Sequence, residues 1–177
     1  MNYELLIVQD PSNRDPHVAC FQEVAEAMAG ALNDMGHRTW IRYGDRIVIG
    51  NILHDSATPI IFGSQHIPKL RIRLPENAII YNMEQANSPW FTPELFALHA
   101  VHNEKGLLWD YSAANALRFI HYGFSPRIVP FGWHKCLERI QRKPEAEQDI
   151  DVLHVGSMND RRARVLDKLS DLSLIHI

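Results

Sequence analysis

Gly156 and Ser157 follow the strand-like run 151–155 and precede Asn159, Asp160, Arg161 and Arg162. Glycine lets the backbone turn and come close to a ligand. A helix that starts just after it offers free N–H groups and a partial positive charge, which suit a diphosphate. Arg161 and Arg162 add cationic partners for the same anion. The identical residues also fit a plain strand-to-helix turn with its arginines in solvent. Neither a three-glycine dinucleotide fingerprint nor a phosphate-loop Gly-Lys-Ser/Thr occurs.

A second set of residues has acid–base chemistry. In open α/β sheets, ligands bind beyond the carboxyl ends of the strands, and the residues just after each apolar run are the candidates. His66 and Glu84 are the ionisable pair that could take a proton from a hydroxyl, provided either lies within hydrogen-bond reach of it. Histidine needs little tuning for that work near neutral pH. Asp10, Asn13, Gln65, Asp110 and Gly132 stand at other strand ends as candidate substrate contacts, with Ser64, Gln85 and Tyr111 beside them. Asp110 fits an ordering role in the turn into the next helix better than ligand contact. Trp90, Trp109 and Trp133 could stack on a ring, although core packing is the commoner use of tryptophan.

The elements that must position these groups are legible as alternating strands and helices. Apolar runs at 3–8, 38–43, 58–62, 77–81, 106–109 and 127–131 read as buried parallel strands. Asp15 and Pro16 predict a helix start, and Val18, Phe21, Ala25, Met28, Leu32 and Met35 recur at steps of three and four on one face. Gly36 predicts its end. Residues 46–53 fit a strand or a helix. A short helix is expected over 93–101, and another over 113–122, capped by Ser112 and stopped by Gly123. The charged, proline-containing stretch 134–148 reads as an inter-domain linker. After it a new strand, turn and helix begin, with Val165, Leu166 and Leu169 apolar. The expected class is α/β: a Rossmann-like open, mostly parallel sheet over 1–133, and the first βα unit of a second Rossmann-like domain over 149–171.

Composition excludes several classes. A chain of 177 residues with 46% hydrophobic content has material for an ordinary core. A net charge of −3 gives no broad basic field for nucleic acid. There is no apolar run of membrane-spanning length, and the N-terminus enters a strand without a signal-like segment. Cys20 and Cys136 lack metal-site spacing and read as reduced thiols of a cytoplasmic protein. His99 and His102 form the tightest histidine pair but have no acidic or cysteine partners in sequence, so no metal is expected.

Four segments occur in an order that resembles a family: Asn82-Met-Glu-Gln, Trp109-Asp-Tyr-Ser, Val129-Pro-Phe-Gly and the run 149–162. Together they resemble bacterial glycosyltransferase-like proteins of the GT-B architecture, family-1 or spore-maturation type, over most of residues 3–170. The resemblance implies two Rossmann-like domains, an N-terminal one for the acceptor and a C-terminal one for a nucleotide-diphosphate sugar, usually without an essential metal or further cofactor. It implies that Gly156, Ser157, Arg161 and Arg162 face the donor diphosphate, that His66 and Glu84 face the acceptor, and that Gly132 marks the passage to the linker. His154 departs from the more apolar residue expected there. The expected partners are a small-molecule or glycan acceptor and the nucleotide sugar, in the cytoplasm.

The last six residues match one frame of a transposon-end sequencing adapter and are expected to be read-through. The piece is then expected to stop short of the donor lobe and to be inactive by itself. A non-catalytic Rossmann-like binding or interaction domain is the alternative. A flavodoxin-like regulatory domain ranks below both, because the early acidic pair and late lysine of a phospho-receiver are not evident.

Overall fold

A computed structural model describes residues 1–9, 18–44, 56–141, 143–156, 158–169 and 174–176. The chain divides into two compact units, Met1–Glu138 and Arg139–Ile177. The first unit holds a six-stranded, all-parallel sheet in the order β2-β1-β3-β4-β5-β6. Its strands are β1 (Asn2–Val8), β2 (Arg38–Gly44), β3 (Ala57–Phe62), β4 (Ile79–Asn82), β5 (Leu108–Asp110) and β6 (Arg127–Ile128). Helices α1 (Val18–Asp34), α2 (Ile67–Leu70), α3 (Pro93–Glu104) and α4 (Ala113–Ile120) connect them. This is the expected Rossmann-like open α/β class. The order 2-1-3-4-5 is also the one that doubly wound flavodoxin-like sheets use, here extended by a sixth strand. Among the described residues no helix is long and apolar enough to cross a membrane.

Period-two alternation sorts each strand between two layers. Leu5 and Ile7 of β1, Ile60 and Phe62 of β3 and Tyr81 of β4 pack against Phe21, Ala25 and Ala29 of α1. Leu6, Val8 and Ile61 point the other way, onto Ile67, Leu70 and Leu98. Farther along that face Ile80 and Leu108 meet Phe119 and Phe124. Each fully buried side chain of this kind contributes roughly 1.5–3 kcal/mol. Glu4 is the exception inside β1. It is 0% exposed and holds Arg42 of the edge strand β2 at 2.8 Å.

Several boundaries differ from the sequence expectation. Met35 lies past the end of α1 and is 71% exposed, so the apolar face of α1 rests on Ala29 instead. Helix α3 runs on to Glu104, and Gly106 takes the left-handed turn after it at φ 68°. Strand β6 is only two residues long. Val129 still donates to the Asp110 carbonyl at 2.8 Å, but Pro130 has no N–H to continue the ladder. The turn Ser64–His66 and α2 were not expected at all. The predicted helix start at Asp15 and Pro16, and the segment 46–53, lie outside the described residues.

The stretch expected as a linker splits in two. Residues 134–138 belong to the first unit. His134 Nε2 lies 3.2 Å from Asp34 of α1, and the Cys136 thiol donates to the Glu26 carbonyl at 3.5 Å. Gly30 of α1 makes this possible, because a Cβ there would run into the His134 ring. The second unit contains β7 (Val152–His154), α5 (Asp160–Leu166) and β8 (Leu174–His176). β7 and β8 pair in parallel as a sheet of their own, with Val152 opposite Leu174. Residues 174–176, within the stretch expected to be read-through, form β8.

Gly63 marks the carboxyl end of β3. Its φ is 75°, and a Cβ would sit 2.8 Å from the Val8 carbonyl of β1. The one reversal of strand order, between β1 and β3, is thus tightened by glycine. Gly63→Ala is expected to lower stability by about 1–3 kcal/mol, from left-handed strain plus the clash. A urea melt checks it, and a loss below about 0.5 kcal/mol contradicts it.

Candidate functional site

The carboxyl ends of β4 and β5 are tied together by buried side chains. Asp110 is 0% exposed. Its Oδ2 accepts from Asn82 Nδ2 at 2.7 Å and from Asn115 Nδ2 at 2.8 Å, and its Oδ1 accepts from the Ser112 N–H at 2.8 Å. Burial pushes the Asp110 carboxyl above the usual carboxylate range, while those three donors pull it back down. The same asparagines donate to the Glu84 carbonyl, at 2.8 Å from Asn82 and 3.0 Å from Asn115. Asn82 Oδ1 accepts from the Glu84 N–H at 3.2 Å, and Asn115 Oδ1 from the Ala86 N–H at 2.8 Å. The backbone of Glu84 is therefore held from both sides. Asp110 orders this corner and is out of a ligand's reach, so it is removed from the candidate substrate contacts.

Beyond these strand ends lies a pocket of about 410 Å3. Glu84 and Gln65 supply its polar side. Cys20, Phe21 and Val24 enter from the first turns of α1, and Trp90 from the loop before α3. Tyr111 and Phe131 form an aromatic wall, their rings stacked at 4.7 Å and 10°. Phe131 also meets Tyr81 edge-on at 6.2 Å. The Tyr81 hydroxyl donates to the Val129 carbonyl at 2.7 Å. Burial, with the Asp110 charge, pushes its phenol up and keeps it a donor.

The structure thus brings Glu84 and Gln65 into one pocket and leaves His66 out. His66 is 2% exposed and sits behind the pocket, its ring 6.4 Å from that of Trp90. It is not among the described lining of this pocket, so the expected His66 base is not placed beside Glu84 here. The 3-10 turn after Gly63 rotates successive side chains by about a third of a turn, so neighbours in sequence do not share a face. Gly132 is exposed but lines a neighbouring cavity instead. Asp10, Asn13 and Ser157 lie outside the described residues. Of Trp90, Trp109 and Trp133, only Trp109 packs on the core; Trp90 is 42% exposed and Trp133 is 70% exposed. Tyr111 stood among the strand-end candidates, but its stacking on Phe131, which ends the run 127–131, was not expected.

In the second unit, Gly156 has φ 125°, and an added Cβ would lie 3.6 Å from Arg162 Nη1. Asn159 caps α5 by accepting from the Arg162 N–H at 3.0 Å. Arg161 and Arg162 are exposed. Among the described residues no cluster of His, Cys, Asp and Glu could hold a metal ion. His99 instead pairs with Ser64, and His102 Nδ1 lies 3.0 Å from the Leu98 carbonyl. No family model, no curated protein and no solved structure matches the chain.

Proposed function

We propose that the first unit is the acceptor-side lobe of a GT-B-type glycosyltransferase and that the second unit opens the lobe for a nucleotide-diphosphate sugar. The observation that supports this is the pocket beyond β3, β4 and β5, where one carboxylate on a clamped backbone faces an aromatic wall. Aromatic faces suit the apolar faces of rings, and a fixed carboxylate suits a hydroxyl. In the reaction, the acceptor oxygen bonds to the anomeric carbon, the bond from that carbon to the β-phosphate oxygen breaks, and Glu84 takes the hydroxyl proton. The resemblance assigns Gly156, Ser157, Arg161 and Arg162 to the diphosphate of the departing nucleotide.

Nucleoside-diphosphate release from UDP-, GDP- and dTDP-sugars tests the reading, in a chain carrying a complete donor lobe. Release is expected to depend on acceptor. Glu84→Gln is expected to cut kcat by roughly 100-fold or more. No release, together with no nucleotide binding by calorimetry, overturns it. The burial of His66 favours a second reading, a non-catalytic Rossmann-like binding domain, because among the described residues it leaves Glu84 as the one carboxylate or imidazole lining the pocket. In that case Glu84→Gln weakens ligand affinity and there is no turnover to lose.

A further inference from the structure

A second cavity lies beside the pocket at Glu84. Val24 and Phe131 also line this cavity, of about 380 Å3, so the two spaces share a boundary. On α1 the second cavity is lined by Val24, Ala27, Met28 and Ala31, which follow one another at helical spacing. Seven residues of helix cover about 10 Å. Across from α1 run Val129, Pro130 and Trp133, with the Tyr81 ring between them. Tyr81 presents an apolar ring there, since its hydroxyl is bonded to the Val129 carbonyl. Glu23 is the one charged residue among the described lining of this cavity, and it is exposed. Among the described lining, Glu84 and Gln65 stand at one end, and the α1 side of the other is Val24, Ala27, Met28 and Ala31 with Glu23 exposed at its edge.

We propose, resting on the acceptor reading above, that the acceptor is an amphipathic hydroxyl compound. Its hydroxyl-bearing head lies beside Glu84 and Gln65, and its alkyl tail passes Phe131 and follows α1 to Ala31. The two volumes together fall within the roughly 300–1,000 Å3 of small-molecule sites. The exposed rings of Trp90 and Trp133 stand one at each part of the space and would be covered by such a ligand. Polarity at one end alone selects a single amphiphile bound as a monomer over a fully polar sugar.

The probes are n-alkyl β-glucosides with hexyl, heptyl and octyl chains, kept below their micelle concentrations and followed by calorimetry and tryptophan emission. Affinity is expected to rise about 3- to 4-fold per added methylene, with a blue shift of emission. Ala31→Trp fills the far end and is expected to abolish that gain, whereas Ala31→Ser leaves the space open and keeps it. Ala31 is exposed, so neither change enters the core. A flat affinity series, or a gain that persists in Ala31→Trp, overturns the proposal. A methylene gain with no nucleoside-diphosphate release in the sugar-nucleotide assay above upholds the amphiphile site and removes the transferase reading. Transfer to short soluble acceptors with no gain does the reverse.

Discussion

Asp110→Ala is expected to destabilise the first unit by about 4 kcal/mol, because it leaves two buried donors and one half-buried donor without this acceptor, each costing about 1–3 kcal/mol. The donors are Asn82 Nδ2, Asn115 Nδ2 and the Ser112 N–H, all within 2.8 Å of the carboxylate. Asn82 and Asn115 are themselves buried, so water cannot readily replace the lost oxygens. Domains of this size hold only about 5–15 kcal/mol in total. The effect should therefore be visible as a large shift of the urea midpoint. It should also have a local signature. The Glu84 carbonyl is held by the same two asparagines, and the Ala86 N–H by Asn115 Oδ1. Hydrogen exchange at Ala86 and Ser112 should accelerate more than at Ile60 or Ile61 in the centre of the sheet. Asp110→Asn keeps the volume but not the double acceptor, and should fall between the two proteins. A loss under about 1 kcal/mol for Asp110→Ala would mean that the corner is held by packing alone.

The sheet was readable because its strands are buried on both faces. Such strands carry near-continuous apolar runs, and those at 3–8, 58–62 and 77–81 coincide with β1, β3 and β4 within a residue or two. What could not be read are places where tertiary contact overrides local pattern. Met35 continues the helical spacing of α1, yet it is exposed because the helix ends at Asp34 and Met35 lies in the turn with Gly36. Residues 134–138 look like solvated linker from their charge. They dock through a histidine–aspartate pair and a glycine that admits the ring, and no periodicity encodes that contact. Helix α2 left one usable trace, Pro68 in its first turn. Its end is marked by Arg71 at φ 51° rather than by glycine, so the stop signal was absent.

The site was legible in part, for a related reason. The strand-end rule finds the correct rim of the sheet but does not say which way each side chain turns. Gln65 and Glu84 face the pocket, while His66, one residue from Gln65, is buried. Asp110 satisfies the same rule and serves as the anchor beneath Glu84. Two of the groups that make the anchor, Asn82 and Asn115, come from the end of one strand and the second turn-forming residues of a helix, with 28 and 5 positions separating them from Asp110. Their convergence is a product of parallel pairing between β4 and β5, which sets Asn82 opposite Asp110. The pairing was foreseeable; the side-chain triad needed coordinates.

Acidification from pH 6.5 to 4.5 is expected to remove about 2–3 kcal/mol of stability through His99 alone. His99 is 0% exposed, its Nε2 lies 3.2 Å from Ser64 Oγ, and its Nδ1 has no partner. Burial pushes its pKa down to about 3, with the neighbouring His102 adding to the shift. Between that value and about 6.5 the unfolded chain takes up a proton that the folded chain refuses. Stability therefore falls as pH falls, by about 1.4 kcal/mol per unit, and is fully present above 6.5. His102 acts in the same direction, since burial lowers its pKa as well. Asp110 opposes both, because its raised pKa makes the folded state the better proton acceptor in the acidic range. A difference measurement isolates His99. His99→Gln retains a polar partner for Ser64 and cannot titrate. It is expected to be less stable than the parent by about 1 kcal/mol at pH 7 and more stable at pH 4.5. The curves of stability against pH for the two proteins should cross. Parallel curves between pH 7 and 4.5 would show that His99 accepts its proton without unfolding, which requires an acceptor for Nδ1–H that opens only in acid.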